Sequence, residues 1–181
     1  MYENILSLLT TRGIEFEKGL TLDELKQIEK LYQIKFPSSL REFLMMKLPI
    51  SKGFYNWRNM QDDNVQFIKK TMSKPLLDIY NMAEEVYWCD DWGEEPEEKN
   101  FFSKAVRERL KEAPKLLPIY AHRYMPMILE ENPPIISIHG IDIIYYGKNL
   151  EDYFNIEFGM KTQDTIEVQD ITPVSFWTDI M

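Results

Sequence analysis

Cysteine is nearly missing from this sequence: Cys89 stands alone among 181 residues. One thiol cannot close an internal disulfide, which excludes the disulfide-stapled scaffolds and suits a reducing compartment. Histidine is almost as scarce. His122 and His139 lie seventeen residues apart and leave no C-x-x-C or H-E-x-x-H pattern, so no metal site and no cofactor are expected. The seven glycines form neither G-x-G-x-x-G nor G-x-x-x-x-G-K-[ST], which removes the phosphate-cradling loops. No apolar run approaches the ~18–20 residues that span a bilayer. Glu3 in "MYENILSLLTTRG" stands where a secretion signal needs positive charge. The expectation is a soluble cytoplasmic protein without membrane contact.

Core-forming material is plentiful. Apolar residues make up 44% of the chain and aromatics 13%, enough to fill a sizeable core within one domain, expected over 1–181. Charge is the uneven feature. Residues 84–98 carry eight acids (Glu84, Glu85, Asp90, Asp91, Glu94, Glu95, Glu97, Glu98) and no Lys or Arg, nearly the whole net charge of −9. Seven basic residues follow between Lys99 and Arg123 against Glu108 and Glu112. An acidic balance of this kind argues against direct nucleic-acid binding and fits a basic protein partner.

The spacing of apolar residues predicts helices first and strands later. "NILSLLTT" reads as a short amphipathic helix with Ile5, Leu8 and Leu9 on one side. Thr21 and Glu24 have the T-x-x-E spacing of a capping box ahead of Leu22, Leu25, Ile28 and Tyr32. A third helix starts at Pro37 or Ser38, with Leu40, Phe43 and Leu44 inward, and stops at Pro49. "GFYNW" reads as a turn or short strand. Asp62 to Met72 predicts a helix, and Pro75 opens another reaching about Tyr87; a further one begins near Pro96 with Phe102, Ala105, Val106 and Leu110 inward. "KLLPIY", "PIISIH" and "DIIYYG" have the β-branched and aromatic look of strands, with Gly140 able to carry a tight turn between the last two. "NLEDYFNIEFG" returns to helix behind Asn149 as N-cap. The segment 170–181, with "TPVSFWTDIM", is too aromatic to hang free and is expected to dock. Helices, then strands, then helix, without regular alternation, give an α+β class with a mixed or antiparallel sheet packed by several helices.

Two stretches carry candidate chemistry. In "LLPIYAHRYMP", His122 can be read as a base and Arg123 as an anion clamp. Alternatively a strand leaves the core at Tyr120, turns through Ala121 to Arg123 and returns at Tyr124, with His122 bonded to backbone and Arg123 paired to a carboxylate. In "WCDDWGEEPEE", the acids form either a solvated loop before a dipole-matched helix start or an exposed patch that docks on a basic partner. Trp88 and Trp92 are either contact anchors beside Asp90, Asp91, Glu94 and Glu95 or part of the core. That stretch lacks the twelve-residue EF-hand pattern. Ser137 and His139 stand two apart on one predicted strand, and Cys89 sits between Trp88 and Asp90; neither arrangement is specific for nucleophilic catalysis.

Taken together, the motifs resemble the SUKH superfamily, in the branch near the fungal cell-wall-assembly regulators. A capped helix is followed by "FP-x-x-L-R-x-F-L" at Phe36, Pro37, Leu40, Arg41, Phe43 and Leu44, and by "LP-…-G-F-…-W-R" at Leu48, Pro49, Gly53, Phe54, Trp57 and Arg58. "WCDDWGEEP" is similar to the family's W-x-x-x-W-G-x-x-P segment. "LLPIYAHRYMP" matches its L-I-P-I-Y-G-H-R-Y-x-P at His122, Arg123 and Tyr124, with Ala121 in place of the common glycine. "DIIYYG", with Asp142, Tyr145 and Tyr146, matches its D-I-I-Y-Y-G. The resemblance implies a non-catalytic α+β binding module. Many bacterial members act as immunity proteins that neutralise polymorphic toxins, often nucleases, whereas the fungal relatives imply a regulatory scaffold for an endogenous enzyme. It makes His122 and Arg123 part of a fold signature and assigns no catalytic residue.

Overall fold

The capping box at Thr21 and Glu24 is closed in the computed structural model, which describes residues 2–159 and 161–181: Thr21 Oγ1 accepts from the Glu24 N–H at 3.2 Å, and Glu24 Oε2 accepts from the Thr21 N–H at 2.7 Å. It opens α2 (Leu22–Tyr32), which buries Leu25, Ile28 and Tyr32 at helical spacing. Before it come α1 (Glu3–Thr11) and β1 (Phe16–Lys18). After it come α3 (Ser38–Met46) and β2 (Lys47–Pro49), which pairs antiparallel with β1. Pro37 gives α3 no side-chain cap; the Glu131 carbonyl accepts from the Ser39 N–H instead, at 2.9 Å.

Proline did not break the next helix. Two helices were expected around Pro75, but α4 runs unbroken over Asp62–Asn81 with Pro75 inside. Val65, Ile68, Pro75 and Ile79 are all buried, so one apolar stripe continues through the proline and packs as a unit. Pro75 cannot supply the N–H that the Thr71 carbonyl would take, and the Tyr124 hydroxyl points at that carbonyl from 3.5 Å. The helix ends six residues before Tyr87. After a short 3-10 turn at Asp90–Trp92, α5 (Lys99–Leu110) starts three residues later than Pro96, and Phe102, Val106 and Leu110 face inward as expected.

The three predicted strand runs, joined by the segment that returns at Tyr124, pair in sequence order as β3 (Leu116–Tyr120), β4 (Arg123–Pro126), β5 (Ile135–His139) and β6 (Asp142–Gly147), all antiparallel. Gly140, at φ 65°, turns β5 into β6, with His139 opposite Asp142. Asn149 caps α6 (Leu150–Glu157) by accepting from the Asp152 N–H at 2.9 Å.

Period-2 alternation gives this sheet two buried faces. Leu117, Ile119, Met125 and Ile135 meet α1, α2, α3 and α6 around Tyr2, Ile28, Phe43, Trp57 and Phe154. Leu116, Tyr124, Ile136, Ile138 and Ile143 meet Ile79, Trp88, Phe102, Val106 and the C-terminal Val174, Phe176, Trp177 and Ile180. Trp177 is fully buried and donates Nε1–H to the Pro114 carbonyl at 2.9 Å. The fold is α+β, with antiparallel sheets and several helices.

Candidate functional site

The acidic segment lies on the outside of the second face. Glu84, Glu85, Asp90, Asp91, Glu94, Glu95, Glu97 and Glu98 are all exposed, and none enters an ion pair among the described residues. The basic helix α5 therefore does not neutralise them side chain to side chain; Lys111 pairs with its own neighbour Glu108 at 2.7 Å.

Beneath these acids the backbone is held by aromatic packing. Trp88 is turned inward, 8% exposed, and donates Nε1–H to the Gly93 carbonyl at 2.8 Å, which closes the loop over itself. Trp92, half-buried, meets Trp88 edge-on with ring centres 5.4 Å apart and stacks on Phe176 at 5.9 Å. Arg109 of α5 places its guanidinium over both indoles, 5.2 Å from Trp88 and 4.9 Å from Trp92, and donates to the Trp92 carbonyl at 2.9 Å. The two tryptophans thus serve the core, and they fix the frame that presents Asp90, Asp91, Glu94 and Glu95. The aromatics that do face solvent here are Tyr87 and Phe101, each 59% exposed. Their neighbours Trp88 and Phe102 are both inward, so the exposed pair follows from strand-like alternation at 87–88 and helix phase at 101–102, a signal present in the sequence beside the tryptophans.

The signature residues hold the fold together elsewhere. Trp57 is nearly fully buried and receives Tyr32 and Phe36 edge-on at 5.3 and 5.2 Å. Leu40 is buried behind Pro37 at the start of α3, and Arg41 is half-buried without an ion pair among the described residues. Arg58 is a four-way tie: Nε donates to Glu24 Oε1 at 2.7 Å, Nη1 to Glu17 Oε2 at 2.8 Å, and Nη2 to the Lys18 and Gly19 carbonyls at 2.9 and 3.0 Å. Hydrogen bonds from Arg58 and the Thr21 backbone hold the Glu24 carboxyl down to about 2. Gly19 is required here, because a Cβ would sit 1.8 Å from the Met45 carbonyl oxygen.

At the other end of the sheet the turn forms with Ala121 at φ 47°, where the family pattern has glycine. The Tyr55 hydroxyl donates to its carbonyl at 2.5 Å. Arg123 does meet a carboxylate, Glu157, at 3.3 Å, although the approach lies off hydrogen-bonding geometry. It also donates to Ser137 Oγ at 3.0 Å and lies over the Tyr146 ring at 3.8 Å. Tyr145 packs against the second core, and Asp142 is exposed at the hairpin base. The expected backbone bond from the His122 side chain is not made: the ring is exposed, and only the His122 main-chain carbonyl is used, accepting from the Ile138 N–H at 3.1 Å. The reason is the αL turn at Ala121, which carries the ring outward beside His139.

The Ser137–His139 arrangement weighed for nucleophilic catalysis is not assembled. Ser137 is buried with its hydroxyl committed to Arg123, while His139 is exposed at the strand end, so the pair does not cooperate. Cys89 is half-buried. Among the described residues no group of three or more His, Cys, Asp or Glu is arranged to hold a metal ion, and no helix is long and apolar enough to cross a membrane.

A family model described as SMI1 / KNR4 family (SUKH-1) matches residues 19–156, from the Gly19 contact through most of α6, leaving α1 and the C-terminal segment outside. No curated protein and no solved structure matches the chain.

Proposed function

The chain belongs to the SMI1 / KNR4 family (SUKH-1), a family of protein-interaction domains rather than enzymes, and from that premise we propose that it is an immunity-type protein that binds and neutralises a basic toxin domain, a polymorphic nuclease in the first instance. The observation that carries this reading is the run of eight exposed acids over 84–98, unpaired among the described residues and mounted on a stiff tryptophan–arginine frame. A nucleic-acid-cleaving domain needs a cationic surface to hold phosphates. An acidic strip complementary to that surface steers encounter and competes with substrate for the same charges. Rigid presentation matters because little ordering entropy is then lost on binding.

Within the strip, Asp90, Asp91, Glu94 and Glu95 make the electrostatic contact. Trp92 offers a half-exposed edge, Trp88 acts from below, and Tyr87 and Phe101 supply aromatic area of the kind that dominates interface energetics.

The test is co-expression with toxin domains encoded beside the gene, scored by rescue of growth, followed by affinity measurement at low and high salt. Wild type is expected to rescue growth and to bind with steep salt dependence. Reversal of Asp90, Asp91, Glu94 and Glu95 to lysine is expected to weaken low-salt binding by about tenfold or more and to flatten that dependence. Unchanged affinity would remove the strip from the interface. Stoichiometric capture of an endogenous enzyme, with no rescue from any toxin, would establish the regulatory-scaffold role instead.

A further inference from the structure

The chain contains two histidines, and the fold brings both to one place. His122 follows the β3–β4 turn and His139 ends β5. Their ring centres lie 6.0 Å apart at an interplanar angle of 72°. Both rings line an open cavity of about 340 Å³ with Tyr55, Tyr124, Lys74 and Asp78. The other polar groups of that cavity are already engaged: Tyr55 with the Ala121 carbonyl, Tyr124 with the Thr71 carbonyl, and Lys74 with Asp78. The two imidazoles make no side-chain hydrogen bond among the described residues, so they are the donors left over.

We propose that His122 and His139 form an exchangeable two-imidazole site for a borderline divalent transition-metal ion, with water completing the coordination. The distance supports it. A metal bound about 2.0–2.1 Å from an imidazole nitrogen lies roughly 3.2 Å from that ring's centre, so two rings can share an ion when their centres are up to about 6.4 Å apart. A tetrahedral angle needs about 5.2 Å on the same arithmetic. Closing that difference takes only χ rotation of two exposed side chains. Arg123 is directed away, towards Glu157, Ser137 and Tyr146.

Two protein nitrogens are too few for a structural zinc site, which takes four ligands. Binding is therefore reversible and leaves open positions, and it follows the order Cu²⁺ tighter than Ni²⁺ or Zn²⁺, with Mg²⁺ and Ca²⁺ excluded by their preference for oxygen.

Calorimetric titration of the untagged full chain with CuCl₂ and ZnCl₂ at pH 7.5 is expected to show one ion per chain, tighter for Cu²⁺. Electron paramagnetic resonance of the Cu²⁺ form is expected to show coupling to two imidazole nitrogens. His122→Asn and His139→Asn, each checked for folding by circular dichroism, are expected to weaken binding at least about tenfold. A variant carrying Asp90→Asn, Asp91→Asn, Glu94→Gln and Glu95→Gln is expected to bind as wild type. The proposal is overturned by the absence of a saturable event, by binding that survives either histidine substitution, or by loss of binding in the acidic-strip variant alone.

Discussion

The four-stranded sheet is covered on both faces, but by material of different kinds. On the first face, α1, α2, α3 and α6 close over Leu117, Ile119, Met125 and Ile135, and nearly every contact is made by a residue whose helical phase or motif position announces it. On the second face the cover is α4 with a proline inside it, α5, an irregular loop with two tryptophans, and a C-terminal segment with little regular structure. The family match cuts across this division. Residues 19–156 take in α2, α3, the sheet and most of α6, but also α4, the acidic loop and α5 of the second face. The match leaves out α1 of the first face and stops before the segment that supplies Val174, Phe176, Trp177 and Ile180. The difference teaches how the acidic strip is supported. The first face is closed by regular helices, and the second carries the strip on an irregular loop whose Trp92 rests on Phe176 of the C-terminal segment, beyond the match.

The strongest way to break the comparison is to remove the keystone of the second face. Trp177 is fully buried, stacks edge-on against Phe176 at 5.5 Å and bonds to Pro114. Trp177→Ala is expected to cost about 3–5 kcal/mol, as large aromatic truncations in cores do. Urea unfolding checks it. A cost below about 1 kcal/mol would mean that the C-terminal segment rests on the second face without supporting it.

Next in size is a cut at the first platform. Arg58 joins α2, β1 and the Gly19 contact through four hydrogen bonds, two of them to carboxylates. Arg58→Ala leaves Glu24 and Glu17 without their partner and is expected to cost about 2–3 kcal/mol. Arg58→Lys should recover little of it, because one ammonium cannot reproduce the planar fork. Full rescue by lysine would show that charge, not geometry, is what the site needs.

Glu24 sharpens the same point through pH. Its folded carboxyl is held at about 2, below the ordinary value of 4.5. A depressed carboxylate stabilises the fold above its unfolded pKa and loses that contribution as pH falls towards the folded value. The benefit is therefore complete above about pH 4.5 and fades between there and about pH 2. Glu24→Gln is expected to cost about 1 kcal/mol at pH 7, the size of a helix cap, and to flatten the acid limb of the stability curve in that window. An unchanged acid limb would show that the Arg58 contact adds nothing to the cap.

These contrasts explain what was legible in the sequence. The capping box, the inward faces of α3 and α5, the Gly140 turn and the three strand runs were readable because each depends on neighbours within a few residues. The unbroken α4 was not: Pro75 reads locally as a helix start, and only the Tyr124 hydroxyl and a stripe of burial from Val65 to Ile79 override it. The inward turn of Trp88 was not legible either, since it depends on Arg109 and Phe102 from a helix that follows. The meeting of His122 and His139 was hidden for the same reason, because seventeen residues of hairpin separate donors that the sheet sets 6.0 Å apart.

The smallest expected effect has the opposite sign and lies where the two faces share a turn. Ala121 holds φ 47°, a left-handed conformation in which an L side chain crowds its own backbone. Its backbone is pinned on both sides: its N–H donates to the Gly53 carbonyl at 2.8 Å, and its carbonyl accepts from Tyr55. Glycine adopts that conformation without the Cβ penalty but adds freedom to the unfolded chain, so the two effects partly offset each other. The Cβ penalty of roughly 1–2 kcal/mol is the larger, and Ala121→Gly is expected to stabilise the protein by about 0.5–1 kcal/mol in chemical denaturation. A destabilised Ala121→Gly would mean that restricting the unfolded turn outweighs the folded strain, and that alanine is the better residue beside His122.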